Sequence, residues 1–437
     1  MSNSQSNVLE RFLKSAAVIE EQELRAVVLS MLFFFFLFGS YSIIKPVRDA
    51  MGTVYGVDKL QQLFTGTFVA SLLFAPLYSW FAARIKLSTF LPWVYGFIAA
   101  SIIGFYVLFE TTAESQDRGV AAAFYIWIST FNILIISVFW TFMADIFSRT
   151  QAKRLFGFVA AGGSIGGVVG PLVASAMVKK IGNNNLMLIS AVGFLVTAAL
   201  VRLLAAEKPR LMAALGVEAQ TTTLDHRLGG SPFDGFKLLL RSPYLLLLAL
   251  FLLLMTWIST VVYFQLGELI KNAFESREAR TQAYATIDLV VNSGAVLIQL
   301  FGTGQLIKHF GVKTGLLLNP VMMVLAFMAV VVSPVLLVLG GIQILRRVAE
   351  YAIAKPTREM LFTVVDQESK YKAKNVIDTV VYRFGDLSSA WVSSFILPLG
   401  VAGLAVFGAI VSVAWFRIAW VLGRRYENVK AGDIIGS

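Results

Sequence analysis

The 437-residue chain is 57% apolar and 14% charged, with a mean hydropathy of +0.74. A soluble domain of average composition has about 45–50% apolar and about 25% charged residues, so a soluble enzyme and a disordered chain are both excluded. Long unbroken apolar runs argue against an outer-membrane barrel. There is no cysteine, and the two histidines, His226 and His309, form no cluster. Disulfides, thiolate chemistry, a bound metal and a haem are therefore not expected. The 37 basic residues exceed the 26 acidic ones, and their placement in loops reads as membrane orientation rather than nucleic-acid binding.

A membrane-spanning helix uses about 20 predominantly apolar residues, so the composition supplies roughly twelve. Residues 1–25, with Glu10, Arg11, Lys14, Glu20, Glu21, Glu23 and Arg25, read as a cytoplasmic amphipathic segment without the pattern of a signal peptide. Six spans follow within 26–205, near 26–48, 60–82, 88–109, 120–146, 155–178 and 184–205. Residues 206–241, holding Pro209, Gly216, Gly229, Gly230 and Pro232, read as a central cytoplasmic loop. Six more spans fill 242–423, near 243–270, 282–306, 314–333, 335–354, 374–397 and 399–423, with almost no connection at Pro334 and Pro398. Residues 424–437 form a cytoplasmic tail. Most Lys and Arg fall in the loops on the side of the two termini, which places both termini in the cytoplasm of a multi-pass bacterial inner-membrane protein.

The halves look related. Asp145, Ala152 and Lys153 recur at the same mutual spacing as Asp366, Ala373 and Lys374, and Ile85-Lys86 is echoed by Ile307-Lys308. The run Gly304-Gln-Leu-Ile-Lys-His-Phe-Gly311-Val-Lys313 resembles the short loop signature of the major facilitator superfamily, with Lys308 where that signature usually has Asp. The fold expected is all-α: twelve transmembrane helices in two pseudo-symmetric six-helix halves, an arrangement that suits a transporter with its site near the midplane.

Ionisable groups inside spans cost about 2.5–3.5 kcal/mol or more at the bilayer centre, so each needs a reason. In the first span Tyr41, Lys45, Arg48 and Asp49 recur at helical spacing around Pro46 and share one face. That face reads as a cationic stripe for an anion; the same residues would also suit a helix end snorkelling to the interface with Arg48 paired to Asp49. In the seventh span Trp257, Val261, Gln265 and Glu268 form a stripe, Glu268 serving substrate, a coupling proton, or simply Lys271. The eighth span carries Asp288, Asn292 and Gln299 as a polar seam, for coupling or for interhelical hydrogen bonding. Arg346, Arg347 and Glu350 end the tenth span, and Asp378, Tyr382 and Asp386 with Arg383 mark the eleventh. Arg383 and Asp386 are expected to form a charge pair that gates or locks. Gly162, Gly166 and Gly170 permit close helix packing and lack the Lys-Ser/Thr ending of a phosphate loop. No catalytic constellation appears, so no enzymatic activity is expected.

The stretch Glu350-Tyr-Ala-Ile-Ala-Lys-Pro-Thr-Arg358-Glu359-Met, then Lys370-Tyr-Lys372-Ala-Lys374-Asn-Val-Ile-Asp378 to Gly385-Asp386 and Trp391, resembles the nucleotide transporter family, the ATP/ADP antiporters of plastids and intracellular bacteria. Phe139-Trp140 with Ala152-Lys153-Arg154, and Ile44-Lys45-Pro-Val-Arg48-Asp49, resemble further elements of that family. The resemblance implies a nucleotide carrier working by exchange, with Lys45 and Arg48 at the family's first-helix basic positions and Glu268 at its seventh-helix acidic position. Two positions depart from the pattern: Ile128 stands near the family's fourth-helix carboxylate, and Asp386 replaces its eleventh-helix lysine. These changes extend the expectation to other phosphorylated organic anions. The combined reading is a monomeric alternating-access transporter in which Tyr41, Lys45, Arg48, Asp49, Glu268, Arg346 and Arg383 bind substrate. Asp288, Asn292, Glu350, Asp378 and Asp386 couple or gate. A proton-coupled carrier of another organic compound and a non-transporting scaffold are the alternatives, the scaffold disfavoured by the lack of a large soluble segment.

Overall fold

A computed structural model of the chain describes residues 19–82, 84–112, 117–214, 234–366, 373–374 and 376–429. Among these residues every regular element is helical. Backbone N–H and C=O groups in hydrocarbon must be satisfied within their own segment, and apolar runs of this length do so as helices.

In chain order the helices are α1 (Glu21–Tyr55), α2 (Leu60–Ala82), α3 (Leu87–Thr111) and α4 (Asp117–Ile146). The helical stretch Arg149–Ala214 is broken at Gly182, giving α5 (149–181) and α6 (183–214). A short helix, Asp234–Arg241, precedes α7 (Pro243–Ala273) and α8 (Arg277–Phe301). The stretch Thr303–Val332 is broken at Gly311, and α9 is its longer part, 312–332. Next come α10 (Leu336–Ala349), α11 (Tyr382–Ile396) and α12 (Gly400–Asn428). Seven stretches meet the length and hydropathy needed to cross a membrane, and two of them, Arg154–Leu211 and Ile377–Asn428, each contain two of these helices.

The sequence signals explain most ends. Ser242 caps α7, its hydroxyl accepting from Leu245 N–H with Pro243 at the first helical position, and Ser276 caps α8 by accepting from Ala279 N–H. Gly182 and Gly311 have φ of 81° and 77°, a left-handed conformation that glycine adopts without a Cβ penalty. Gly311 is the second glycine of the facilitator-like run, so the run marks a real turn. Three boundaries differ from the sequence reading. The first helix begins at Glu21, so the last residues of the 1–25 segment belong to α1, and residues 1–18 lie outside those described. The helix after Gly182 continues through Pro209 to Ala214, beyond the expected loop start at 206; most of the remaining loop, 215–233, lies outside the described residues. The last helix runs to Asn428, past the expected tail boundary.

Contacts divide the chain into two compact units. Unit 1 comprises Met1–Met51, Val69–Thr223 and Tyr284–Leu289; unit 2 comprises Gly52–Phe68, Leu224–Ala283 and Val290–Ser437. In unit 1 the core is aromatic: the Phe33 ring meets those of Tyr95, Phe139 and Phe142 edge-on, and Phe34 stacks on Phe139 at 4.1 Å. Here α1 lies directly on α5, because a side chain at Gly162, Gly166 or Gly170 would overlap the carbonyl oxygens of Met31, Phe35 or Gly39. The close packing expected of that glycine series is present. At one end of the same helix pair, buried Glu23 accepts from Gln151 Nε2 at 2.9 Å and from Arg154 Nη2 at 2.8 Å.

In unit 2, α7 is tied to two neighbours. Trp257 Nε1 donates to Ser388 Oγ on α11 at 3.0 Å, and Gln265 Nε2 donates to the Val401 carbonyl on α12 at 2.8 Å. Phe251 meets Trp415 at 5.5 Å, and the Phe327 ring of α9 fills the space left by Gly408 of α12. Two members of the seventh-span stripe, Trp257 and Gln265, are therefore packing anchors.

Candidate functional site

The first-span stripe is the centre of an ion-pair cluster in unit 1. Lys45 Nζ lies 2.5 Å from Asp288 Oδ2 of α8 and 3.6 Å from Asp49 Oδ2 one turn along α1. Arg48 donates to Asp49 Oδ1 from Nε at 3.1 Å and from Nη2 at 2.6 Å. Its Nη1 donates to Ser129 Oγ of α4 at 3.4 Å, and its guanidinium stands 5.3 Å from the Tyr125 ring centre, within cation–π range. The carboxylates are sealed and Lys45 is partly open: side-chain exposure is 4% for Asp49, 5% for Asp288, 11% for Arg48 and 22% for Lys45. Tyr41, one turn before Lys45, is buried beside Phe38.

Each bond has a local origin. Helical periodicity puts Lys45 and Asp49 one above the other, and α1 continues through Pro46 to Tyr55, so the whole stripe stays on one helix. Asp288 arrives from far along the sequence because the short stretch Tyr284–Leu289 of α8 belongs to unit 1. A buried carboxylate is costly unless paired, and Lys45 supplies the charge.

Unit 2 holds a second cluster, on α10. Arg346 donates to Glu350 Oε2 at 2.8 Å, to Ser259 Oγ of α7 at 2.6 Å and to Gln343 Oε1 at 3.1 and 3.0 Å. Its side chain is only 6% exposed. Lys355 Nζ lies 3.7 Å from Glu350 Oε1 and 4.4 Å from the Tyr351 ring centre. Glu350 opens a π-helical turn, Glu350–Ala354, and a second such turn, Ile377–Val381, contains Asp378. Single π-helical turns occur frequently at functional sites. Gln299 of α8 donates to the Tyr351 carbonyl in the first of these turns at 3.0 Å, so the far end of the polar seam braces it.

The remaining candidates are dispersed. Asp378 lies 3.2 Å from Arg358 Nη1, within a network in which Arg358 also meets Glu359 and Lys374 hydrogen-bonds Glu359. Glu359 sits outside the spans; burial raises its pKa, but the Lys374 hydrogen bond and the charges of Lys374 and Arg358 prevail and hold it below the ordinary carboxylate value. Glu268 is half-buried and accepts from Asn272 Nδ2 at 3.2 Å; among the described residues no ion pair joins it to Lys271. Asn292 is half-buried on α8, one turn beyond Asp288. Arg383 and Asp386 are both half-buried and close enough to interact electrostatically, without a contact at ion-pair distance among the described residues. Sequence reasoning did not single out Ser129, Tyr125, Ser259, Gln343 or Lys355. Only Gln343 and Lys355 carried a signal, lying three residues before Arg346 and five after Glu350 in the same run.

Comparisons with known proteins bear on this arrangement. The profile described as the Major Facilitator Superfamily matches residues 27–353. The chain belongs to that superfamily. The loop signature at Gly304–Lys313 is thereby borne out. Among curated relatives, ADP,ATP carrier protein 1 of Chlamydia muridarum (strain MoPn / Nigg) is 26% identical, over 69% of this chain. The match spans 63% of that carrier's length. ADP,ATP carrier protein 2 of Chlamydia trachomatis serovar D is 24% identical, covering 92% of this chain and 90% of the carrier. The resemblance read from the 350–391 run is borne out: this superfamily member is a divergent relative of the ADP,ATP carriers. Solved structures agree on the fold. A bacterial homologue of the iron transporter ferroportin, in an inward-facing state, superposes with a TM-score of 0.66 at 13% identity, over 93% of this chain and 99% of that one. The nucleoside transporter NupG gives 0.58 at 16% identity, over 94% and 100%. The chain is thus an all-helical, multi-pass membrane protein of the superfamily.

Proposed function

We propose that this protein carries nucleotides, or related phosphorylated organic anions, across the bacterial cytoplasmic membrane by alternating access and exchange. On this reading all twelve helices cross the membrane, both termini are cytoplasmic and the carrier acts as a monomer. The halves 26–205 and 242–423 are the two moving bundles. The observation that carries the proposal is the pair of cations on α1: Lys45 and Arg48 lie inside a span, partly open, at the positions that match the basic residues of the carrier family. Fixed positive charge in a low-dielectric setting attracts an anion more strongly than it would in water. The names of the curated relatives, ADP,ATP carriers, supply the substrate class. Glu268 would tune the opposing side of the site, and Asp288 and Asn292 would couple binding to movement.

The sealed carboxylates Asp49 and Asp288 favour a second reading, a proton-coupled carrier, because protonation of either would release a cation. Proteoliposomes loaded with unlabelled nucleotide separate the two. Exchange predicts uptake of labelled nucleotide that needs nucleotide inside and ignores a pH gradient. Uptake into empty vesicles driven by an inward proton gradient would overturn exchange.

A further inference from the structure

The outward face of α12 has features that neither helix packing nor the α1 cluster uses. The packed face of this helix holds Leu404, Gly408, Val411, Trp415, Ala419 and Leu422. Opposite them, Val406, Ile410, Val413, Arg417, Trp420 and Arg424 recur at alternating steps of four and three residues and form one exposed stripe. On a membrane-spanning helix such a stripe meets lipid. It changes character once, from aliphatic to cationic and aromatic, as a phospholipid changes from acyl chain to headgroup. At 1.5 Å per residue, Val406 to Arg417 covers about 16 Å, close to half of a hydrocarbon core about 30 Å thick.

The headgroup end is the specific part. The Arg424 guanidinium stands 4.0 Å from the Trp420 ring centre, which joins the two at the depth where tryptophan is favoured. Arg417 comes earlier in the helix, nearer the hydrocarbon, where an arginine is costly unless it finds an anion. Among the described residues Arg417, Arg424 and Arg425 have no carboxylate partner. Other cations at helix ends of unit 2 do: Lys313 has Glu427 at 3.7 Å, Arg358 has Asp378 at 3.2 Å, and Lys374 has Glu359. Glu427, three residues beyond Arg424, is thus taken by Lys313 of α9, whose stem lies against Gly423. The arginine stripe is left without a counter-ion from the protein.

We propose that Arg417, Trp420 and Arg424 form a binding site for an anionic phospholipid. The two guanidinium groups donate to its phosphodiester from either side of the indole, and Val406, Ile410 and Val413 lie along an acyl chain. A zwitterionic lipid offers the same phosphate but brings its own ammonium, which repels the arginines, so the site selects net negative charge. The leaflet is the one on the C-terminal side of α12. This site stands apart from the nucleotide reading and neither needs it nor supports it.

The test is native mass spectrometry of the full-length protein in mixed micelles holding equal amounts of phosphatidylglycerol and phosphatidylcholine with the same acyl chains. Phosphatidylglycerol adducts are expected to exceed phosphatidylcholine adducts by at least about fivefold, the effect of one arginine beside an anionic surface. Arg417→Gln and Arg424→Gln should each lower that ratio by about twofold or more, and the double variant should remove most of the preference. Arg417→Lys keeps the charge and should keep most of the ratio, which separates loss of binding from loss of folding. Arg425→Gln removes the same charge one residue off the stripe and should move the ratio less. Equal adducts on the unmodified protein, or a ratio unmoved by both stripe variants, would overturn the proposal. An equal loss from Arg425→Gln would also overturn it, by showing general attraction to a basic helix end. Displacement of the bound lipid by excess inorganic phosphate would make this a free-anion site and overturn the lipid assignment.

Discussion

The clusters on α1 and α10 use the same chemistry in different ways. On α10 the guanidinium of Arg346 is almost completely sealed, and its carboxylate partner Glu350 is one turn away on the same chain segment. Gln343 and Ser259 accept from three more of its N–H groups, so most of the guanidinium is engaged within unit 2. On α1 the ammonium of Lys45 is partly open and its nearest partner is Asp288, 243 residues away in sequence. The first arrangement fixes a side chain; the second joins two helices through a bond that an anion can compete for. Intramembrane charge by itself therefore does not mark a binding group; on the proposed function, its exposure and the origin of its partner do.

The largest effect should come from Arg48→Ala. Truncating one partner of a buried, hydrogen-bonded charge pair commonly costs about 2–5 kcal/mol, so uptake in proteoliposomes should fall by at least about a hundredfold while the protein still reaches the membrane. Wild-type uptake by this variant would break the contrast and move the functional weight to unit 2. Arg346→Ala should show itself differently. Leaving Glu350 with Lys355 and the more distant charge of Arg347, it should cost roughly 3–5 kcal/mol of stability, seen as a lower unfolding temperature in detergent. A variant that unfolds normally but loses all substrate binding would instead make Arg346 a ligand-binding group. The smallest effect belongs to Glu359→Gln, at the exposed network between α10 and α11. Such pairs contribute about 0–1 kcal/mol. Because the folded protein holds the Glu359 pKa below its ordinary value, this contribution is present above the unfolded pKa and fades as pH falls through the folded one. Unfolding temperatures of wild type and variant should therefore converge on acidification below about pH 4.5; a gap that widened in acid would show that the network is not electrostatic.

The helices were legible because hydrocarbon leaves a chain few choices. The second apolar segment, 60–82, coincides with α2, and the sharp boundaries at Pro334 and Pro398 appear as the breaks between α9 and α10 and between α11 and α12. Periodicity also placed Lys45 and Asp49 on one face, and both Arg48–Asp49 and Arg346–Glu350 lie within one helical turn. Pairings between distant helices were not legible. Nothing in the spacing of α8 specifies that Asp288 meets Lys45, or that Gln299 braces the turn at Tyr351. Spacing did bring Arg383 and Asp386 within electrostatic reach of each other on one helix. The π-helical turns at Glu350 and Asp378 were equally hidden, since one extra residue per turn leaves no compositional mark.

The glycines of α5 have a mechanical consequence. The main chain of α1 touches α5 at Gly162, Gly166 and Gly170, and the Glu23–Arg154 clasp ties the same two helices at one end. Lys45 and Arg48 thus ride on a braced strut. The salt link to Asp288 can then open through the flexible Lys45 stem alone, with the backbone of α1 left in place.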